Sequence, residues 1–178
     1  MADEKKIDDK DFSKRTNQLI ALTALILAIC ATFASLYAGA NASKGILAQN
    51  QVSDGWAYYQ AKGIKQTIYS SQLEMLEIDP PANPDPAKLA ELKKDYTETV
   101  DRYDKEREEI KADTQSKEKD RDHFLALNKN FAGALTYLQI AILLTSLAGL
   151  MKQIYFWYAG IAIGAFGVFN FVQAMMMV

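Results

Sequence analysis

The chain has 178 residues, with 20 Lys and Arg, 22 Asp and Glu and a net charge of −2. This near-neutral balance gives no basic surface for nucleic acid, so a nucleic-acid partner is not expected. Residues 16–43, 130–151 and 153–178 carry no charge, whereas the stretch between the first two runs is densely charged. Because a soluble domain mixes these residue classes at short range, the segregation predicts an all-α integral membrane protein.

Each uncharged run is long enough to cross a lipid bilayer. A hydrocarbon core of about 30 Å needs roughly 20 apolar residues of helix. We therefore predict a charged N-terminal tail over residues 1–16 and transmembrane helices over 17–40, 125–151 and 153–178. The first run exceeds the roughly 7–15 apolar residues of a secretory signal, which favours a retained span over a cleaved leader.

Small residues in the first and third spans predict close helix–helix contacts. In the first span they recur at alternating steps of four and three and form one helical stripe: Ala24, Ala28, Ala31, Ser35 and Ala38. In the third span, Gly160 and Gly164 form a GxxxG pair. Small side chains let helix backbones approach closely in lipid. The contacts join subunits of a homo-oligomer or pack the chain's own three helices, and both interpretations stay open.

The charged stretch over residues 41–124 is predicted to form a long antiparallel helical hairpin outside the membrane. Its first arm (41–78) and second arm (87–124) are equal in length and flank a proline-rich turn at 79–86. Four prolines in this turn end the first helix. Asp85 is then a natural N-cap for the second arm, with Pro86 at its first helical position.

Apolar residues at alternating steps of four and three predict the seam at which the two arms meet in a coiled-coil manner. In the first arm this seam consists of Ala57, Ala61, Ile64, Ile68, Met75 and Ile78, with Ser71 filling one position. In the second arm it consists of Leu89, Leu92, Tyr96, Tyr103 and Ile110.

An aromatic and basic cluster in the first arm is the candidate partner-binding surface, formed by Trp56, Tyr58, Tyr59 and Lys62. At 1.5 Å per residue it lies roughly 25–35 Å beyond the predicted membrane, too far for an interfacial aromatic belt. Tyr and Trp are favoured at protein interfaces. The cluster packs against the second arm, opposite roughly Asp101 to Glu109, or contacts another subunit or protein.

The string Gln51–Lys62, with the pattern Gln-x-Ser-Asp-x-Trp-x-Tyr-Tyr-Gln-Ala-Lys, resembles bacterial proteins of domain-of-unknown-function family 4337. The resemblance extends to the layout, with one span before this segment and two at the C-terminal end. It implies a bacterial membrane protein and carries no activity with it. Gly55 and Gly63 differ from the residues that are commoner there, and each glycine weakens a helix by up to about 1 kcal/mol.

The sequence offers no set of residues for catalysis or metal binding. The single cysteine, Cys30, has no partner for a disulfide within the chain, and the single histidine, His123, has no companions at ligand spacing. The carboxylates of the second arm lie among Lys and Arg on an exposed helix, which is the wrong environment for a general base. We therefore predict a protein that is not an enzyme and uses no cofactor.

Lys and Arg of the N-terminal tail and Lys152 fall on one side of three spans. The positive-inside rule then predicts a bacterial inner-membrane protein with a cytoplasmic N-terminus and a periplasmic hairpin.

The predicted function is that of a membrane-anchored structural or interaction protein that self-associates and presents its hairpin to a protein partner. The alternative is a channel or transport-complex subunit with a polar pathway that includes Asn170 and Gln173. A pore needs polar side chains at every depth of a span, whereas these two lie near one end of the third span. Their position favours the scaffold.

Overall fold

The computed structural model describes residues 2–79 and 85–178, with side chains at 14–79 and 85–178. It contains three α-helices, α1 (Ala2–Ile78), α2 (Pro86–Met151) and α3 (Ile154–Met175), and no strand among the described residues. The backbone N–H of Ala87 donates to Asp85 Oδ1 at 3.1 Å, so Asp85 caps α2 as predicted. The prolines of the predicted turn at positions 80, 81 and 84 lie outside the described residues, as do the tail side chains before Lys14.

The chain divides into two compact units. The three-helix unit contains the chain up to Lys44 together with His123–Val178, and the arm unit contains Gly45–Asp122. Helices α1 and α2 each have one segment in the three-helix unit and another in the arm unit, whereas α3 belongs to the three-helix unit alone.

All three helices contain a window that is long and apolar enough to cross a membrane, judged by length and composition. Most of the apolar side chains in these windows point away from the core of the unit. On α1, for example, Leu22, Leu25 and Ile29 are each at least half exposed. Such side chains form the outer surface of the three-helix unit.

The core of the three-helix unit is built mainly from small residues and leucines. One cluster contains Leu27, Ala31, Ala34, Leu138 and Ala141, all buried, with Cys30 and Phe171 among the residues packed against it. A second cluster joins Ala38, Leu127, Phe131 and Ala174. The Asn128 side chain donates to the backbone oxygen of Ala38 at 2.8 Å and ties α2 to α1.

Glycines allow α3 to approach its neighbours closely. Gly160, Gly164 and Gly167 are buried along one face of α3. A Cβ added at Gly160 would lie 2.6 Å from Thr145 Oγ1 and 3.1 Å from the backbone oxygen of Ala141. A Cβ at Gly164 would lie 2.7 Å from Leu27 Cδ2 of α1. The GxxxG pair therefore packs the chain's own helices, one of the two interpretations that its sequence leaves open.

The α2–α3 connection is a tight turn at Lys152 and Gln153, where the spacing of the uncharged runs predicts one. Lys152 adopts a positive φ of 53°, in the left-handed region. Trp157, in the first turn of α3, donates from its indole nitrogen to Thr23 Oγ1 of α1 at 3.3 Å. This contact fixes the start of α3 beside the first helix.

Gly160→Ala should destabilise the three-helix unit, because the added methyl group meets both a side chain and a backbone oxygen that cannot move aside. Overpacking of this kind costs about 1–3 kcal/mol, more than the up to about 1 kcal/mol that alanine adds in helix propensity. Thermal unfolding of the purified chain, followed by circular dichroism, measures the change.

Gly133→Ala is the matched control, since a Cβ at Gly133 meets nothing within 4 Å. It should leave the unfolding temperature unchanged or raise it. Equal unfolding temperatures for the two variants would contradict the close packing of α3.

Candidate interaction surface of the arm unit

Contacts between the two helices of the arm unit run in opposite directions along the chain. The pairs are Gln49–Arg121, Trp56–Glu118, Lys62–Glu106, Gln66–Asp104 and Tyr69–Tyr96. As the residue number rises in α1, it falls in α2. The two segments therefore pair antiparallel, and the residues that face each other are largely polar or aromatic.

Lys62 is the most densely contacted charge of this pairing. Its ammonium group donates to Glu106 Oε2 at 2.5 Å and lies 5.3 Å from the ring centre of Tyr58 and 5.1 Å from that of Tyr103. The hydrogen bond raises the pKa of Lys62 and lowers the pKa of Glu106. Both charged forms are thus favoured by the folded arm unit.

Trp56 and Tyr59 face the second helix rather than solvent. The Trp56 indole donates to Glu118 Oε1 at 3.0 Å and packs edge-on against the Tyr59 ring at 5.5 Å. The Arg107 guanidinium lies 4.4 Å from the Tyr59 ring centre and donates through Nη1 to Gln66 Oε1 at 2.6 Å. Of the predicted partner-binding cluster, only Tyr58 is largely exposed, at 55 %.

Gly55 brings the two helices into close contact. A Cβ at Gly55 would lie 2.3 Å from Thr114 Oγ1 and 3.2 Å from Thr114 Cβ, and Thr114 is fully buried. A Cβ at Gly63 would lie 3.4 Å from the Arg107 guanidinium. Gly55 thus stands where the two helices cross, whereas Gly63 lies beside the end of the Arg107 side chain. Close packing accounts for the cost in helix propensity at Gly55.

The predicted register of the aromatic segment is correct for part of the segment. The equal arm lengths place it opposite Asp101 to Glu109, and Tyr59 and Lys62 do contact Arg107 and Glu106 there, whereas Trp56 meets Glu118. Side chains on a helix tilt toward its N-terminus. In an antiparallel pair the α1 side chains therefore reach toward later residues of α2 than matched lengths imply.

The predicted seam of the first arm is wrong, because its residues face outward. Ile64 is 64 % exposed, Met75 69 % and Ile78 77 %, and the remaining members are exposed as well. We call this set the outer stripe: Ala57, Ala61, Ile64, Ile68, Ser71, Met75 and Ile78. In the second arm, the predicted seam residues Leu89, Tyr96, Tyr103 and Ile110 are half-buried, and Leu92 is exposed.

Polar partners explain which face of α1 turns inward. The second helix offers Glu106, Arg107 and Glu118 at the contact, and these groups need hydrogen-bond partners when they are partly buried. Lys62, Gln66 and Trp56 supply them. The isoleucines of the outer stripe have no polar group to offer. The four-residue spacing of Lys62 and Gln66 is the sequence signal for this face.

The small-residue stripe of the first span is divided between the core and the outer surface. Ala31 and Ala38 are buried, Ala24 and Ala28 are half-buried, and Ser35 is exposed. Ala34, which the predicted stripe leaves out, is fully buried instead. The chain's own packing thus uses the edge of the stripe that contains Ala31 and Ala38, and leaves Ser35 on the outside.

Clefts lie beside two of the candidate residue groups, one in each unit. A cleft of about 590 Å³ on the arm unit is lined by residues of both helices, including Asp54, Tyr58 and Glu109. A cleft of about 320 Å³ in the three-helix unit includes Asn170 and Gln173. The Asn170 side chain donates to the Phe166 oxygen of its own helix at 2.8 Å. The described residues contain no group of three or more His, Cys, Asp or Glu that could hold a metal ion.

Together these features define an all-helical protein with three helices suited to cross a membrane and a polar, antiparallel arm unit. The sequence model of the family described as Domain of unknown function (DUF4337) matches residues 16–177, so the chain belongs to that family. Neither the curated proteins nor the solved structures include a match to the chain.

Glu106→Gln should lower the thermal stability of the arm unit at neutral pH and abolish part of its acid sensitivity. The folded state lowers the pKa of Glu106, so its stabilisation is present above the ordinary carboxylate range and is lost as pH falls through the folded pKa. Melting curves of the wild type and the variant should therefore differ at pH 7 and converge in acid.

Glu98→Gln serves as the control, because Glu98 is exposed and pairs with Lys94 along the same helix at 3.7 Å. An exposed pair of this kind contributes little. If Glu106→Gln and Glu98→Gln had the same pH profile, the Lys62–Glu106 contact would not stabilise the arm unit.

Proposed function

We propose that this chain is an integral protein of the bacterial inner membrane that self-associates and presents a periplasmic helical hairpin to a protein partner. Three transmembrane helices anchor it, with the N-terminus in the cytoplasm. The arm unit forms the hairpin, coiled-coil-like in its pairing. The role is structural or interactive rather than catalytic.

The observation that carries this proposal is the outer stripe of the arm unit. Its large apolar side chains, Ile64, Ile68, Met75 and Ile78, are each at least half exposed. The arm unit is otherwise strongly charged, and contiguous exposed apolar surface on such a unit is typical of a protein interaction site. An interaction partner would cover this stripe.

Exposed apolar side chains of the three-helix unit support the anchoring part of the proposal. Leu22, Leu25 and Leu143 stand outward from helices that carry no charge in these stretches. In lipid such side chains are solvated without cost, whereas in water they would drive aggregation. Ser35 and the half-buried Ala28 lie on α1, where a second copy could approach closely.

The alternative, a channel or transport-complex subunit, finds support in the cleft beside Asn170 and Gln173. A conducting pathway needs polar side chains along the whole depth of a span. The Asn170 side-chain amide donates a hydrogen bond to a backbone oxygen of α3. Asn170 and Gln173 both lie in the last two turns of that helix. The interaction function is therefore the better supported of the two.

Membrane integration and self-association are tested together on the full chain in its native membrane. The protein should stay in the membrane fraction after alkaline carbonate and high-salt washes and leave it only with detergent. Light scattering of the detergent extract should then give a mass of two or more times 19.9 kDa, to which the mass of any copurifying protein is added.

A known peripheral protein and a known integral protein of the same membrane are the controls. Release of the chain by carbonate would contradict membrane integration. A mass of 19.9 kDa without any second protein, in the extract and after cross-linking in intact membranes, would contradict the interaction function.

A further inference from the structure

We infer that the outer stripe pairs with the outer stripe of a second copy of this chain, so that two α1 helices form a parallel coiled coil between subunits. The inference rests on the proposed function, because two copies anchored in one membrane with the same orientation present their arms in parallel. It goes further by naming the surface, the occupant and the direction of pairing.

The spacing of the outer stripe fits a two-helix seam. Its seven members follow one another at steps of four, three, four, three, four and three residues, which is the heptad pattern of a coiled coil. The stripe spans three heptads, or about 33 Å of helix. The inner face of α1 is occupied by α2, and the described residues of the chain leave this second seam exposed.

The side chains of the outer stripe are also suited to pack against the same stripe of a second copy. In a symmetric pair each residue meets its own counterpart, so the seam has two small layers, two large layers, one small layer and two large layers in turn. Ala57, Ala61 and Ser71 permit close approach, while Ile64 and Ile68 meet in adjacent layers and fill the centre. Ile68 falls on an a position of the heptad, where a β-branched side chain is favoured in two-stranded parallel coiled coils, whereas Ile64 falls on a d position, where isoleucine shifts the preference toward more strands.

Residues that flank the stripe give little repulsion in this arrangement. In a parallel pair, each flanking residue meets one five positions away on the second copy. Lys65 then faces Gln60 of the second copy, and Gln72 faces Thr67 of the second copy. Only at the end near the turn does Glu74 face a like charge, on Asp79 of the second copy. Elsewhere along the stripe no two like charges face each other, which suits an identical partner.

The area of the stripe is sufficient for a specific contact. From their exposed fractions, Ile64, Ile68, Met75 and Ile78 leave roughly 500 Å² uncovered on each chain, or about 1,000 Å² for a pair, the size at which specific interfaces begin. Contacts between the membrane-spanning helices would add to this area.

Two adjacent serines provide a matched cysteine test. Ser71 lies on the outer stripe and Ser70 lies one position off it, about 100° around the helix, and both are exposed. In a Cys30→Ala background, each Ser→Cys variant of the full chain is oxidised mildly in native membranes. Ser71→Cys should give a disulfide-linked species at twice 19.9 kDa, and Ser70→Cys at least five-fold less of it.

A second pair of variants tests whether the apolar contacts drive the pairing. Ile64→Gln with Ile68→Gln should reduce the Ser71→Cys dimer at least five-fold without loss of helicity, because both isoleucines are exposed in the chain's own fold. Ser70→Gln with Glu77→Gln, at exposed positions off the stripe, should leave the Ser71→Cys dimer unchanged.

The outcomes separate this inference from the proposed function. Equal dimer yields at Ser70 and Ser71, or no effect of the isoleucine variants, would overturn pairing through the outer stripe while light scattering still reports self-association. A Ser71→Cys product at another protein's mass would overturn the second copy as occupant and leave the presented hairpin standing. Release of the wild-type chain by carbonate would overturn both proposals.

Discussion

A partly buried ion pair and its aromatic surroundings decide how the arm unit is arranged. Lys62 lies between the Glu106 carboxylate and the rings of Tyr58 and Tyr103, and Gln66 continues the polar contact one turn later. A partly buried charge without a partner is far more costly than an exposed isoleucine. The polar face of α1 therefore turns toward α2, and the apolar face turns outward.

In each unit a glycine also allows two helices to approach closely. In the arm unit, Gly55 lets α1 touch Thr114, and in the three-helix unit Gly160 lets α3 touch Thr145 and the backbone of Ala141. Glycine weakens a helix, so its presence at these crossings is explained by contact rather than by flexibility. Each unit also leaves an apolar surface uncovered: the outside of the candidate spans and the outer stripe.

Much of this fold could be predicted from the sequence. Uncharged runs set the three candidate spans, the prolines set the end of α1, and Asp85 with Pro86 set the start of α2. The inner face of the first arm could not be predicted from apolar spacing, because two faces of α1 compete and polar pairing decides between them. The register was predicted for Tyr59 and Lys62 but not for Trp56, whose contact with Glu118 is shifted by side-chain tilt. The stripe was predicted to contain Ser35, but Ala34 is the buried residue. Either one continues a helical stripe between Ala31 and Ala38, because steps of three and of four residues both keep to one face of a helix.

The most direct test is a disulfide that reports which face of α1 meets α2. A Cβ at Gly55 lies 3.2 Å from Thr114 Cβ, just below the range of about 3.5–4.5 Å found in disulfides, so a small outward shift of the two helices allows the bond. Ala57 belongs to the outer stripe. In a Cys30→Ala background, Gly55→Cys with Thr114→Cys should oxidise within one chain, while Ala57→Cys with Thr114→Cys should not, as read from mass and gel mobility of the monomer. Efficient oxidation of the Ala57 pair and none of the Gly55 pair would mean that the apolar face is the inner one, and the outer stripe would not exist.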